Sequence, residues 1–178
     1  DELTYSLIVP NGHLNHHEIY HAFHTILSEA LLALNYPVNL HNHKSNDNYL
    51  KDSYKNFACF NRPAFTEIKW QNKKIVGSAQ RLFPNGLLQH GSILIKGRQS
   101  KVLKYLKMES IQKEKMEFEL DHSSAALSDI DSNEISKSNL SAAMIKQFAK
   151  YGVNLIYSDY VKEELLPVKQ DILELFII

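Results

Sequence analysis

Two polar turns, Gln71-Asn72-Lys73 and Pro84-Asn85-Gly86, cut residues 65–95 into three short runs, 65–70, 74–80 and 87–95. Each run is rich in residues that favour extended backbone, and each turn carries the residue types that reverse a chain within a few positions. The spacing therefore predicts a meander or two linked hairpins. A chain committed to such pairing in its middle cannot also be a helical bundle. The flanks decide what covers it.

Residues 3–9 (Leu-Thr-Tyr-Ser-Leu-Ile-Val) read as a further strand, stopped by Pro10-Asn11-Gly12. Asn15 or His16 caps a predicted helix that runs to about residue 34, because Ile19, Phe23, Ile26, Ala30 and Leu34 recur at helical spacing. Asn35-Tyr36-Pro37 ends it, and 38–40 reads as a short strand before a polar loop over 41–54. Helical patterns follow at 99–106 and 138–150, then a strand at 153–157. Ser158 or Asp159 caps a last predicted helix, divided by Pro167. Strands gathered in the first half and helices in the second predict a mixed α/β layer and not an alternating βαβ wind.

The chain has 178 residues, long enough for one domain with a real core. Twenty basic residues balance twenty acidic ones, so no global field drives it onto nucleic acid or a membrane surface. No run of roughly 18 apolar residues is present to span a bilayer. The lone cysteine, Cys59, has no internal disulfide partner, which points to a reducing, cytoplasmic compartment. Charge is nevertheless segregated locally. Residues 96–115 hold seven Lys or Arg against Glu109 and Glu114, a net of +5 (7 − 2), and residues 117–134 hold six Asp or Glu and no base. Two solvated faces are one reading; a basic platform for an acidic partner or for phosphate is the other.

His17-Glu18-Ile19-Tyr20-His21 matches H-E-x-x-H on a predicted helix, the pattern in which two imidazoles hold zinc and the Glu activates water. The helix wheel opposes a catalytic site. At about 100° per residue, His17, His21 and His24 fall within roughly 60° of one another, opposite the apolar stripe, and are predicted to face solvent. No metal site is therefore expected. A second constellation lies in the β-rich middle: Cys59-Phe60-Asn61-Arg62-Pro63, Glu67, Lys74 at the head of a strand, and two Gly-Ser pairs at Gly77-Ser78 and Gly91-Ser92. A thiolate stabilised by a neighbouring cation is a nucleophile, and a lysine can supply charge to an acyl carbonyl or a phosphate. The alternatives are a small buried Cys59, a solvated turn lysine and glycines at strand bulges.

Residues 59–94 closely resemble the lipoate–protein ligase and octanoyl transferase family, of the biotin/lipoate ligase superfamily. Lys-Ile-Val-Gly-Ser-Ala-Gln-Arg at 74–81 and Leu-Gln-His-Gly-Ser-Ile-Leu at 88–94 are two linked family segments at their usual separation. The opening Asp-Glu-Leu-Thr-Tyr-Ser and the helix with Glu18-Ile19-Tyr20 resemble the next family elements, and the likeness runs over about residues 1–150. The resemblance implies a mixed, largely antiparallel sheet with flanking helices. It assigns Lys74 to the acyl carbonyl or, in ligases, the acyl-adenylate phosphate. It places Gly77, Ser78 and Ala79 on the strand lining the acyl chain, with His90 and Gly91 on its neighbour. It matches Cys59 to the cysteine that some octanoyl transferases load as a thioester. The implied substrates are lipoate or octanoate, with ATP and Mg only in a ligase. The implied partners are an acyl carrier protein and the lysine of a lipoyl-domain acceptor protein.

Family members carry an Arg-Arg-x-x-Gly-Gly-Gly-like loop and a His-Asp pair before the strand that opens this chain. The expectation is accordingly a single, N-terminally truncated ligase-like domain over 1–178: a fragment, a shortened gene product, or one half of a split enzyme. Such a sheet is expected to expose an edge and apolar surface, and so to call for a companion chain or a homodimer. A non-catalytic chain that only binds lipoyl or carrier domains is the remaining alternative.

Overall fold

The structure is a computed structural model that describes residues 1–10, 12, 15–42, 64, 66–133, 135–152 and 174–177, the last four by backbone alone. Strand β1 (Glu2–Pro10) alternates, with Leu3, Tyr5 and Leu7 buried and Glu2 and Ile8 exposed, as a strand with one covered face must. Helix α1 (His16–Ala33) follows. Its Asn15 cap accepts from the N–H groups of His17 and Glu18, and the Glu18 carboxylate accepts from the Asn15 N–H at 2.8 Å. That capping box fixes where the helix starts. Asn35, with φ 64°, turns the chain out of it.

Strands β2 (Asn39–Asn42), β3 (Thr66–Trp70) and β4 (Lys73–Lys74) form a three-stranded antiparallel sheet in the order β2-β3-β4. Gln71 and Asn72 both adopt positive φ, 47° and 65°, which is the backbone a two-residue hairpin turn needs to match strand twist. Strands β5 (Val76–Phe83) and β6 (Gly86–Leu94) pair antiparallel across Pro84-Asn85, and β6 pairs with β1. Strand β7 (Glu174–Ile177) closes on the other side of β1, giving the order β5-β6-β1-β7.

One residue joins the two sheets. The Ile75 N–H donates to the Ile68 carbonyl of β3 at 3.0 Å, and the Ile75 carbonyl accepts from the Leu94 N–H of β6 at 3.2 Å. The single predicted strand over 74–80 is therefore two, β4 and β5, because its backbone changes partner at Ile75.

Beyond β6 come a 3-10 helix (Gln99–Tyr105) and helices α2 (Ser110–Ser123), α3 (Leu127–Ile130) and α4 (Lys137–Lys150). Neighbouring residues of β6 serve different cores, as the pleat requires. Ile93 joins the main cluster with Leu3, Tyr5, Phe23, Leu27, Ile68, Met144 and Phe148, which draws α1 and α4 onto the sheet. Leu94 joins a smaller cluster with Leu103, Leu120 and Ala126, under α2 and the 3-10 helix. The Phe23 ring lies 4.7 Å from Tyr5 and 5.1 Å from Phe148, linking sheet to α1 to α4.

The mixed α/β arrangement with antiparallel sheets and flanking helices is the one the sequence predicts. Three expectations need correction. The 99–106 helix is a 3-10 helix. Helix α2 was not foreseen, because only Leu120 of its fourteen residues is buried and no apolar stripe marks it. The end of the predicted last helix is strand β7: the free edge of β1 captures residues 174–177 as a partner. The predicted strand at 153–157 and the start of that last helix lie outside the described residues.

Candidate active site

The site is built where β3, β4 and β5 meet the first turns of α1. Lys74 is held there by its backbone before its side chain is considered. It pairs with Lys69 of β3, and its carbonyl accepts from the Ala125 N–H at 3.0 Å. The side chain points inward, 4% exposed, and its Nζ lies 3.1 Å from Oε1 of Glu67, also 4% exposed. A buried ammonium is tolerable only when paired and hydrogen-bonded, and Glu67 does both. Its other oxygen, Oε2, lies 2.7 Å from Lys69 Nζ, and Oε1 also accepts from the Ala64 N–H at 3.0 Å.

Ser78 lies on β5, opposite Gly91 of β6, which lies opposite Tyr5 of β1. Across this row the Tyr5 phenol reaches over β6 to hydrogen-bond the Ser78 hydroxyl. Only a glycine permits the crossing. A Cβ on Gly91 would sit 2.3 Å from the Gly77 carbonyl oxygen and 2.6 Å from the Tyr5 Oη. The next row repeats the theme with amides: Gln80 Nε2 donates to Gln89 Oε1 at 2.9 Å and to the His16 carbonyl at 3.0 Å.

Ser78 has a second partner, Nε2 of His24 on α1, at 2.9 Å. The His24 Nδ1 lies 2.8 Å from the Tyr20 carbonyl, which can only accept, so Nδ1 carries the proton. Nε2 is then the acceptor, and the Ser78 hydroxyl donates to it. Burial pushes His24 down to about 4, and the Lys74 charge pushes the same way against the hydrogen bond to Tyr20. His24 is thus a neutral acceptor at physiological pH.

Two of the three histidines predicted to face solvent, His17, His21 and His24, correct the helix wheel. His24 is buried and His21 is half-buried, its Nδ1 3.3 Å from the Thr66 hydroxyl of β3, while His17 stays exposed. The wheel located the apolar stripe but missed that β3 and β5 rise against the polar side of the helix. The H-E-x-x-H triplet has other employment, since Glu18 is spent on the helix cap. Among the described residues no three His, Cys, Asp or Glu side chains gather into a group that could hold a metal ion.

The structure therefore brings together Lys74 and, along β5, Gly77, Ser78 and Ala79, with Gly91 beside them in register. His90 pairs with Ala79 but its side chain is exposed, on the opposite face from buried Gln89. Cys59 lies outside the described residues. The sequence named Glu67 without a role and did not single out His24 or Tyr5 as site residues. The hairpin register holds the missing signal: a two-residue turn at 71–72 sets Glu67 two positions from Lys69, the pairing partner of Lys74.

The sequence profile of the lipoyl protein ligase A/B catalytic domain matches residues 1–149. The chain belongs to that family. Its ligase-family fold is echoed by solved structures. A bipartite lipoate protein ligase of Thermoplasma acidophilum, studied with its E2 lipoyl domain, superposes with a TM-score of 0.64 at 15% identity, over 90% of this chain and 55% of that one. A lipoate-protein ligase A bound with ATP gives 0.55 at 16% identity, over 84% and 51%. Among sequences, the octanoyltransferase LipM of Carboxydothermus hydrogenoformans is 33% identical over 116 residues, 64% of this chain and 43% of the relative. This lipoyl ligase family chain spans about half the length of the curated relatives it matches. Among its described residues no helix is long and apolar enough to cross a membrane.

Proposed function

We propose that this chain carries part of an acyl-transfer site of protein lipoylation. The observation that carries the reading is the buried Lys74–Glu67 pair, Lys74 ending β4 just before the strand that holds Ser78 and opening the Lys-Ile-Val-Gly-Ser-Ala-Gln-Arg segment. The kinship with octanoyltransferases named LipM favours octanoyl transfer.

In this reading the Cys59 thiolate attacks the carbonyl carbon of octanoyl-acyl carrier protein. The carrier's thiolate leaves and an octanoyl thioester forms on the chain. The amine of an acceptor lysine on a lipoyl domain then attacks that thioester, an amide forms as the nitrogen gives up a proton, and the Cys59 thiolate is released. In this reading the Lys74 ammonium stabilises the oxygen charge that develops in both steps. Gly77, Ser78, Ala79, His90 and Gly91 belong to the two strands that would lie along the acyl chain. No ATP is needed, because a thioester is exchanged for a thioester. An ATP-dependent ligase acting on lipoate, with Mg, is the alternative, and one solved neighbour binds ATP.

A second reading follows from another neighbour, which is a bipartite ligase. Here the chain works only beside a companion segment or a second copy, and contributes lipoyl-domain or carrier docking. The exposed Lys96, Arg98, Lys101, Lys104 and Lys107 offer a basic face for an acidic partner. A reducing, cytoplasmic setting suits a catalytic thiol.

Intact mass after incubation with octanoyl-acyl carrier protein tests the proposal, beside Cys59→Ala and beside octanoate with ATP and Mg. An octanoyl adduct on the parent alone, removed by hydroxylamine, is expected. An unmodified chain that octanoylates an added lipoyl domain from octanoate only with ATP and Mg would move it to the ligases. An unmodified chain that still binds the carrier would leave the docking role.

A further inference from the structure

Glu67 makes contacts that ordinary neutralisation of Lys74 would not need. One oxygen, Oε1, accepts from Lys74 Nζ at 3.1 Å and from the Ala64 N–H at 3.0 Å, while Oε2 meets Lys69 Nζ at 2.7 Å. Both Glu67 and Lys74 are 3% exposed, so the pair works in a low-dielectric setting where it is strong. Ala64 stands five residues after Cys59 in the sequence and two before β3. A single carboxylate oxygen therefore ties the ammonium to the backbone just ahead of β3.

We propose that Glu67 is the positioning residue of the acyl-transfer site, its carboxylate fixing the Lys74 ammonium and locking it in register with the chain at Ala64. The inference rests on the acyl-transfer reading for its purpose but not for its geometry. A lysine is a point charge on a flexible four-carbon stem, and without an anchor its Nζ samples several rotamers. With the anchor, an oxygen charge developing on the substrate meets a donor already in place, which is what preorganised stabilisation requires. Among the described residues, Lys69 on β3 shares the Glu67 carboxylate and His24 on α1 feels the Lys74 charge.

The test has a readout that needs no activity. The chain is trace-labelled at one pH with acetic anhydride, which reacts with neutral amines, and Lys74 labelling is normalised to Lys73. Lys73 is adjacent on β4 and donates to the Asp121 carbonyl at 3.2 Å, away from Glu67. In Glu67→Gln, which keeps the shape and loses the charge, the Lys74/Lys73 ratio is expected to rise roughly tenfold. Glu67→Asp, one methylene shorter, should fall between parent and Glu67→Gln. An unchanged ratio, or Lys73 rising in step with Lys74, would overturn the proposal. Should Glu67→Gln fail to fold, Glu67→Asp decides: a ratio above parent supports the assignment and one equal to parent overturns it. Loading of Cys59 is measured on the same variants, and is expected to fall as the ratio rises. A parent that forms no thioester would defeat the acyl-transfer reading, and the labelling ratio would still decide what Glu67 does to Lys74.

Discussion

His24 shows how one side chain can serve helix, sheet and site at once. Its ring stacks on Tyr20 at 4.1 Å and meets Phe23 edge-on at 5.7 Å, while its two nitrogens bind a helix carbonyl and a strand hydroxyl. Because burial lowers its proton affinity from 6.5 to about 4, the unfolded chain takes up a proton in that window before the folded chain does. Stability from His24 is therefore fully present above pH 6.5 and is lost as pH falls towards 4, by about 3 kcal/mol in total. Urea unfolding at pH 7 and pH 4.5 should show a steeper loss in the parent than in His24→Gln; equal losses would contradict the assignment. Gly91 is the other critical single position. Gly91→Ala drives a methyl into the Gly77 carbonyl and the Tyr5 phenol, and a cost of about 1–3 kcal/mol or more is expected from such overpacking. Thermal melting measures it. Tyr5→Phe in the same background should relieve only the phenol contact, so the double variant should stay close to Gly91→Ala.

At the scale of elements, α1 carries the most testable local code. Asn15→Ala removes the acceptor for two N–H groups and should cost about 1 kcal/mol. Glu18→Ala should cost less, and zinc should leave the melting temperature of both unchanged, which differential scanning would read. How much of the fold was legible follows from which forces set each element. β1, α1, β3, β6 and α4 announce themselves because burial of one face dictates their periodicity, as with Leu3, Tyr5 and Leu7 or with Leu140, Met144 and Phe148. Helix α2 hides because its stability comes from good helix formers such as Gln112, Lys113, Glu114, Lys115 and Met116, and not from a buried stripe. The 174–177 strand hides because its partner, β1, lies at the other end of the sequence. The site divides in the same way. Lys74, Ser78 and Gly91 stand in a recognisable linear segment. Glu67, His24 and Tyr5 arrive from three other elements, and only the register and the packing of α1 reveal that they meet.

For the whole molecule, the tie between distant parts of the chain is the exposed question. Strand β7 covers the β1 edge by pairing Ser6 with Phe176 and Ile8 with Glu174. Removal of residues 174–178 should leave that edge open, so β1 amides directed at β7 should exchange faster while those directed at β6 keep their protection. Hydrogen exchange with mass readout checks this, and light scattering should report self-association through the bared edge. On the opposite flank, Glu29 of α1 is bound by the Tyr151 hydroxyl at 2.9 Å and by Gln147 of α4. Tyr151→Phe removes an exposed contact and should leave stability nearly unchanged, which makes it a suitable neutral control.

The row Tyr5–Gly91–Ser78 has a meaning for assembly as well as for chemistry. It is a steric checksum on three strands. If β6 slipped by two residues, the side chain of Gln89 or Ile93 would occupy the gap at Gly91, and Tyr5 would lose both its path and its partner. A mispaired sheet would thus be penalised at the same point where the correct one is rewarded, and β5 could be completed only in the alignment that also delivers Ser78 to His24. The molecule inspects its own pairing with a missing side chain.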